Sequence, residues 1–263
     1  MTVLAAGDGD GFHAPTIAEF FPEVFLFEGT PFAVNRIILV RLVAVIALTL
    51  VFWIAARRAK LVPGRAQSIV EMLLDFVRVN VVEEILGKAK ARPFVPVITV
   101  LFMGILFMNL TGVIPGLNIA STSVIGMPLV LALVAYVAFI GAGIKSHGVG
   151  GYFKSQLMPA GVPKPIYLIL TPIEFLSVFV LRPATLTIRL LANMVSGHLI
   201  LVLAFGATHF LFFEASAAMG ALGGVTLAAG VAFTVFEIFI AALQAYIFAL
   251  LTTVYISLSL EEH

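Results

Sequence analysis

The sequence predicts an all-α integral membrane protein, on three observations. The 263 residues are 61% hydrophobic and only 11% charged, against about 45–50% apolar and 25% charged in soluble domains. The apolar residues fall in long stretches that reach the roughly 20 residues a helix needs to cross a bilayer. The basic residues gather in the polar connections between those stretches rather than along one surface.

Residues 1–36 form an N-terminal segment outside the spans. Residues 1–24 carry Asp8, Asp10, Glu19 and Glu23 but no Lys or Arg, so they lack the basic start of a cleavable signal. The first span is placed at 37–56, ended by Arg57, Arg58 and Lys60, with Arg41 near its start and able to snorkel to the interface. Segment 65–86 differs in kind. Glu71, Asp75, Arg78, Glu83 and Glu84 interrupt apolar residues at helical spacing, as expected of an amphipathic helix lying on the membrane. Spans follow at 94–114 and 124–144. A Gly- and Pro-rich loop from Lys145 to Pro165 is expected to be soluble. Two over-long apolar segments, 172–213 and 217–260, exceed a perpendicular crossing and must tilt or run partly along the membrane.

Eleven of the 15 Lys and Arg residues, from Arg57 to Arg92 and from Lys145 to Lys164, fall on one side if five spans alternate. The positive-inside rule makes that side the cytoplasm. The expected setting is a bacterial inner (plasma) membrane, with the N-terminus outside and the C-terminus cytoplasmic. Net charge is +1 and no basic stripe with interleaved aromatics occurs, so no nucleic-acid partner is expected. The absence of cysteine removes disulfides, thiol nucleophiles and thiolate metal sites. The five His residues show no metal-binding spacing, so no metal or cofactor is expected.

The feature that bears on function is Arg189, a permanent charge in the middle of an apolar run. At bilayer depth such a charge costs at least about 2.5–3.5 kcal/mol on insertion scales. It is tolerated beside water, a counter-charge or a partner subunit. With about 100° of rotation per residue, Arg182, Thr185, Arg189, Asn193 and Ser196 share one helix face, and Glu174 lies roughly 60° off it. Thr187, His198 and His209 occupy another face. On the last helix, Glu237, Gln244 and Tyr255 share a face, with Thr234 adjacent. A buried carboxyl at Glu237 and an imidazole at His198 on neighbouring helices have the makings of a proton relay.

Blander readings stand beside these. Arg189 also reads as an anchor paired with Glu237 or Glu174, His198 as a packed helix residue, Gln244 and Asn193 as interhelical glue, and Arg182, before Pro183, as a kink marker. A secondary transporter using Arg189 for an anionic substrate is a further alternative, as is a membrane scaffold. No hydrolase, Walker or Rossmann pattern is present.

The run from Arg189 through Asn193 and Gly197 to His198-Leu resembles the signature of subunit a of F-type ATP synthases. The run Leu243-Gln244-Ala-Tyr246-Ile-Phe248 through Tyr255 resembles it too, as do Asn109-Leu-Thr-Gly and Gly143-Ile-Lys-Ser-His-Gly148 in the middle region. The resemblance covers about residues 30–263. It implies one perpendicular span, an amphipathic surface helix, a hairpin, and two long, strongly tilted helices facing a rotor ring. It implies that Arg189 is the essential arginine between two half-channels. Gln244 and Asn193 become its polar companions, and His198 with Glu237 the acid–His pair of the periplasm-side channel, in exchanged positions relative to some members. Glu174 becomes the acid of the cytoplasm-side channel, at a spacing one residue longer than in some members. Ser196 and Tyr255 complete the expected proton pathway. Gly112 and Asn118 stand where some members have aspartates. The implied partners are the rotor c-ring, peripheral-stalk b subunits and membrane lipids, and the implied subunit is not catalytic alone.

Overall fold

A computed structural model of the chain describes residues 33–58, 60, 64–114, 116–117, 119–158, 163–214 and 219–261, with 16, 22, 24–26 and 29. Most of the N-terminal acidic segment, Asn118 and the start expected for the last helix at 217 lie outside the described residues. The protein is helical apart from a short antiparallel ribbon, β1 (Val24–Leu26) with β2 (Val34–Asn35).

Helix α1 (Arg36–Arg57) begins where the Asn35 side chain accepts a hydrogen bond from the Ile38 amide at 3.0 Å. Only Ile37, Val40 and Ala44 of α1 are buried, against α4, while Leu42, Ile46 and Trp53 point outward. A helix apolar all round with one narrow buried stripe suits lipid contact. Arg41, expected to snorkel to the interface, has a partner within the protein. Its Nε donates to the Ser121 carbonyl at 2.9 Å, a buried loop acceptor that offers a fixed partner in place of water.

The amphipathic segment forms α2 (Arg65–Asp75), a π-helical run Phe76–Glu83 and α3 (Glu84–Ala91). On it Arg78 Nε meets Glu83 at 2.8 Å, and this carboxylate raises the guanidinium's already high pKa. Helix α4 (Val95–Leu110) is only 16 residues long and is buried on most faces. Beyond it the chain turns, with the Gly112 amide on the Asn109 carbonyl at 3.0 Å. That polar corner is closed by Thr122 donating to Asn109 Oδ1 at 2.6 Å and by Thr111 bonding Ser121.

Helix α5 (Gly126–Leu157) corrects the expected soluble loop, since helix continues through Leu157. At Gly148 the chain takes φ 72°, a conformation open to glycine, and the helix kinks there. The arm beyond the kink presses the buried Tyr152 ring onto Gly143, where a Cβ would collide with it. Gln156 of the same arm donates to the Leu258 carbonyl at 3.3 Å. His147, just before the kink, is half-buried.

The last two segments are α6 (Tyr167–Phe175), a π-helical run Leu176–Leu181, α7 (Arg182–Phe213) and α8 (Gly220–Leu260). Four helices are long and apolar enough to cross a membrane: Arg36–Arg57, Gly126–Leu157, Tyr167–Phe213 and Gly220–Leu260. At about 1.5 Å per residue, α4 alone reaches only about 24 Å of the roughly 30 Å hydrocarbon core. Helix α8 lies at the centre, packed along α7, α4 and α5. Its C-terminal half carries the buried Ala245, Phe248, Ala249 and Ile256 that join the core.

Candidate functional site

Helices α7 and α8 run antiparallel and are joined by a ladder of specific contacts. At one end the Arg182 guanidinium lies over the Tyr255 ring, 5.1 Å from its centre. Next, Asn193 Nδ2 donates to Gln244 Oε1 at 2.6 Å. One turn on, Gly197 faces Glu237 so closely that an added Cβ would stand 2.9 Å from the carboxyl Oε1. Gly230 lies under Phe205, Thr208 donates to Thr226 Oγ1 at 2.9 Å, and Gly223 lies under Phe212. Small residues alternate between the helices, which lets the backbones approach without a loss of polar pairing.

Within this ladder Arg189 is half-buried and makes no hydrogen bond or ion pair among the described residues. Neither Glu237 nor Glu174 is its ion-pair partner there, so the anchor reading finds no contact. Glu237 is buried, 5% exposed, with Oε2 lacking a hydrogen-bond partner. Its carboxyl edges a cleft of about 230 Å³ between α7 and α8, walled by Ile200, Phe233 and Phe236 and floored by Asn193, Ser196 and Gly197. Ser196 is exposed, and its hydroxyl is turned back onto the Asn193 carbonyl at 3.2 Å.

His198 is buried at 7% exposure, on the residue after Gly197. Gly197, which Glu237 faces from α8, is thus the chain neighbour of His198. Glu174 is half-buried on α6, beyond the π-helical run. A π-bulge takes up about one residue relative to a regular helix. It therefore changes the phase between Glu174 and Arg189 from that expected of uniform rotation. Arg182 is more than a kink marker, since its guanidinium lies over the Tyr255 ring of α8.

Sequence reasoning missed three residues here. Arg36 donates from Nη2 to the Leu117 carbonyl at 2.9 Å. Gly197 stood inside the polar motif, and its small size was the only signal that α8 comes close there. Tyr152 was hidden because the helix kink at Gly148 leaves no trace in hydrophobic periodicity.

The fold and this site define a multi-pass helical membrane protein with a charged intramembrane crossing between its last two helices. Residues 37–257 match the family described as ATP synthase A chain. ATP synthase subunit a of Rhodococcus erythropolis is 47% identical over all of this chain and 95% of the relative. The Parafrankia protein of the same name is 40% identical over all of this chain and 88% of its own length. That of Streptomyces lividans is 37% identical over 97% and 90%. The chain belongs to the ATP synthase A chain family.

Proposed function

We propose that this chain is the stator subunit of an F-type ATP synthase membrane sector, carrying protons through two offset half-channels to and from carboxylates on a rotor ring. One observation carries the reading: a permanently charged Arg189 on α7, without an ion pair among the described residues, a little over two turns from Gly197, which a buried acid on α8 faces beside a cleft. A proton arriving by way of Glu237 and His198, past Ser196, neutralises a ring carboxylate. The neutral carboxyl then rotates into lipid, where the ionised form costs far more. After nearly a full turn it releases the proton near Glu174, with Tyr255 beside that path. Arg189, between the channels, favours ionised carboxylates and repels hydronium, which bars a short circuit. Asn193 and Gln244 hold the helices on which it rides.

The ring-facing surface is the α7–α8 pair, tilted in the membrane. Peripheral-stalk b subunits and lipids cover other faces. The N-terminus lies outside and the C-terminus in the cytoplasm, as the basic connections direct.

The test is Arg189→Ala in inverted membrane vesicles. ATP-driven acidification is expected to disappear while the complex stays assembled, with passive leak, after the catalytic head is stripped, at or above the wild-type level. Normal pumping overturns the reading.

A further inference from the structure

Arg182 opens α7, and Arg189 follows seven residues later, about two turns along and nearly on the same face. The two arginines are held differently. Arg182 stacks over the Tyr255 ring at 5.1 Å. That ring is itself wedged, meeting Phe139 of α5 edge-on with centres 5.8 Å apart. One guanidinium nitrogen of Arg182, Nη1, is buried without a hydrogen-bond partner, so the aromatic face is a principal attraction holding this charge. Arg189 has no ion pair among the described residues. On its other side, four residues on, comes the 2.6 Å bond from Asn193 to Gln244. Arg189 thus lies between two ties of α7 to α8.

A helix tied at one point keeps its freedom to roll about its axis, whereas ties on both sides of a residue remove that freedom. A side-chain tip stands about 6 Å from the helix axis, so a 20° roll displaces it by about 2 Å. Shifts of that size matter where a charge must meet a passing group at short range.

We infer that Arg182 is a positioning residue: stacked on Tyr255, it acts with the Asn193–Gln244 bond to fix the roll of the α7 turn that carries Arg189. The inference rests on the barrier role proposed for Arg189.

The test uses inverted vesicles with the assembled complex, reading ATP-driven acidification and passive leak per assembled complex. Position 255 carries Phe, then Phe with one, two and three ring fluorines, which keep the ring's shape while draining its negative face. Coupling is expected to fall stepwise, by roughly fivefold from Phe to the trifluorinated ring, equivalent to about 1 kcal/mol. Arg182→Gln falls at or below the end of that series. Arg182→Lys, which keeps a cation but not the planar group, falls between. Coupling that is flat across the fluorine series, or undiminished in Arg182→Gln, overturns the inference. Should Arg182→Gln fail to assemble, the fluorine series decides alone. Arg189→Ala, measured in parallel, separates the two ideas. Normal pumping there sinks the barrier role itself, whereas lost pumping with a flat fluorine series sinks only the positioning role.

Discussion

Asn193 and Gln244 join α7 to α8 through one side-chain hydrogen bond of 2.6 Å, while Gln244 Nε2 stays buried with no partner. Gln244 is 2% exposed, so its amide depends on Asn193 for its one bond among the described residues. A buried polar group left unpaired costs about 1–3 kcal/mol, whereas removing both partners is nearly neutral. Asn193→Leu is therefore expected to destabilise the complex by about that amount, and Asn193→Leu with Gln244→Leu by less than the single change. Thermal denaturation of the detergent-solubilised complex, run as a double-mutant cycle, checks it. A double variant weaker than either single one contradicts the assignment.

The contact of Gly197 with Glu237 leads to a second expectation. A Cβ at Gly197 stands 2.9 Å from Oε1 and 3.2 Å from Cδ, so Ala must push the carboxyl or part the helices. Gly224, also on α8, has nothing within 4 Å of an added Cβ. Gly197→Ala should lower ATP-driven pumping at least roughly tenfold, as a displaced proton-transfer group would. Gly224→Ala should pump like the wild type. Equal pumping by both would mean that the close approach at Gly197 has no functional weight.

Arg41 makes a third point, on stability of the α4–α5 corner. Its Nε bond to the Ser121 carbonyl is the kind of charged hydrogen bond worth about 1.5–3 kcal/mol. Arg41→Gln is expected to speed amide exchange around Ser121 and Thr122 by roughly tenfold or more, since each tenfold step corresponds to about 1.4 kcal/mol. Exchange mass spectrometry on the complex measures this. Unchanged protection would leave the corner held by its own Thr111, Ser121 and Thr122 bonds alone.

Much of this architecture was legible in the sequence, because lipid forces each crossing segment to satisfy its backbone internally and so to be a long apolar helix. The runs that became α1, α7 and α8 stand out for that reason, and so do the polar residues Arg189, Asn193, His198, Glu237 and Gln244 inside them. What stayed hidden depends on single residues rather than on periodicity. The kink at Gly148 requires only one positive φ, and the Gly- and Pro-rich run around it reads as a loop. The π-helical run Leu176–Leu181 shifts the phase of Glu174 against Arg189, and a uniform 100° rotation has no means of registering it. The ties of Arg36 and Arg41 to loop carbonyls about 80 residues away are contacts with backbone, to which sequence patterns are blind.

The last expectation concerns the order of the acid and the imidazole. His198 follows Gly197 on α7, and Glu237 faces Gly197 from α8, so the two buried residues lie at one level of the α7–α8 pair. If the pair works as a unit in proton transfer, what matters is one carboxyl and one imidazole across the crossing, not which helix bears which. His198→Ala and Glu237→Ala should each lower pumping by at least roughly tenfold. The exchange His198→Glu with Glu237→His restores both groups across the crossing. It should recover most of the loss seen with either half of the exchange alone, because each half places two like groups face to face and leaves the pair without its complement. Proton pumping in inverted vesicles, corrected for the amount of assembled complex, makes the comparison. An exchanged variant as poor as its halves would mean that position, not pairing, governs these two residues, and the crossing at Gly197 would then be a packing contact beside two independent proton carriers.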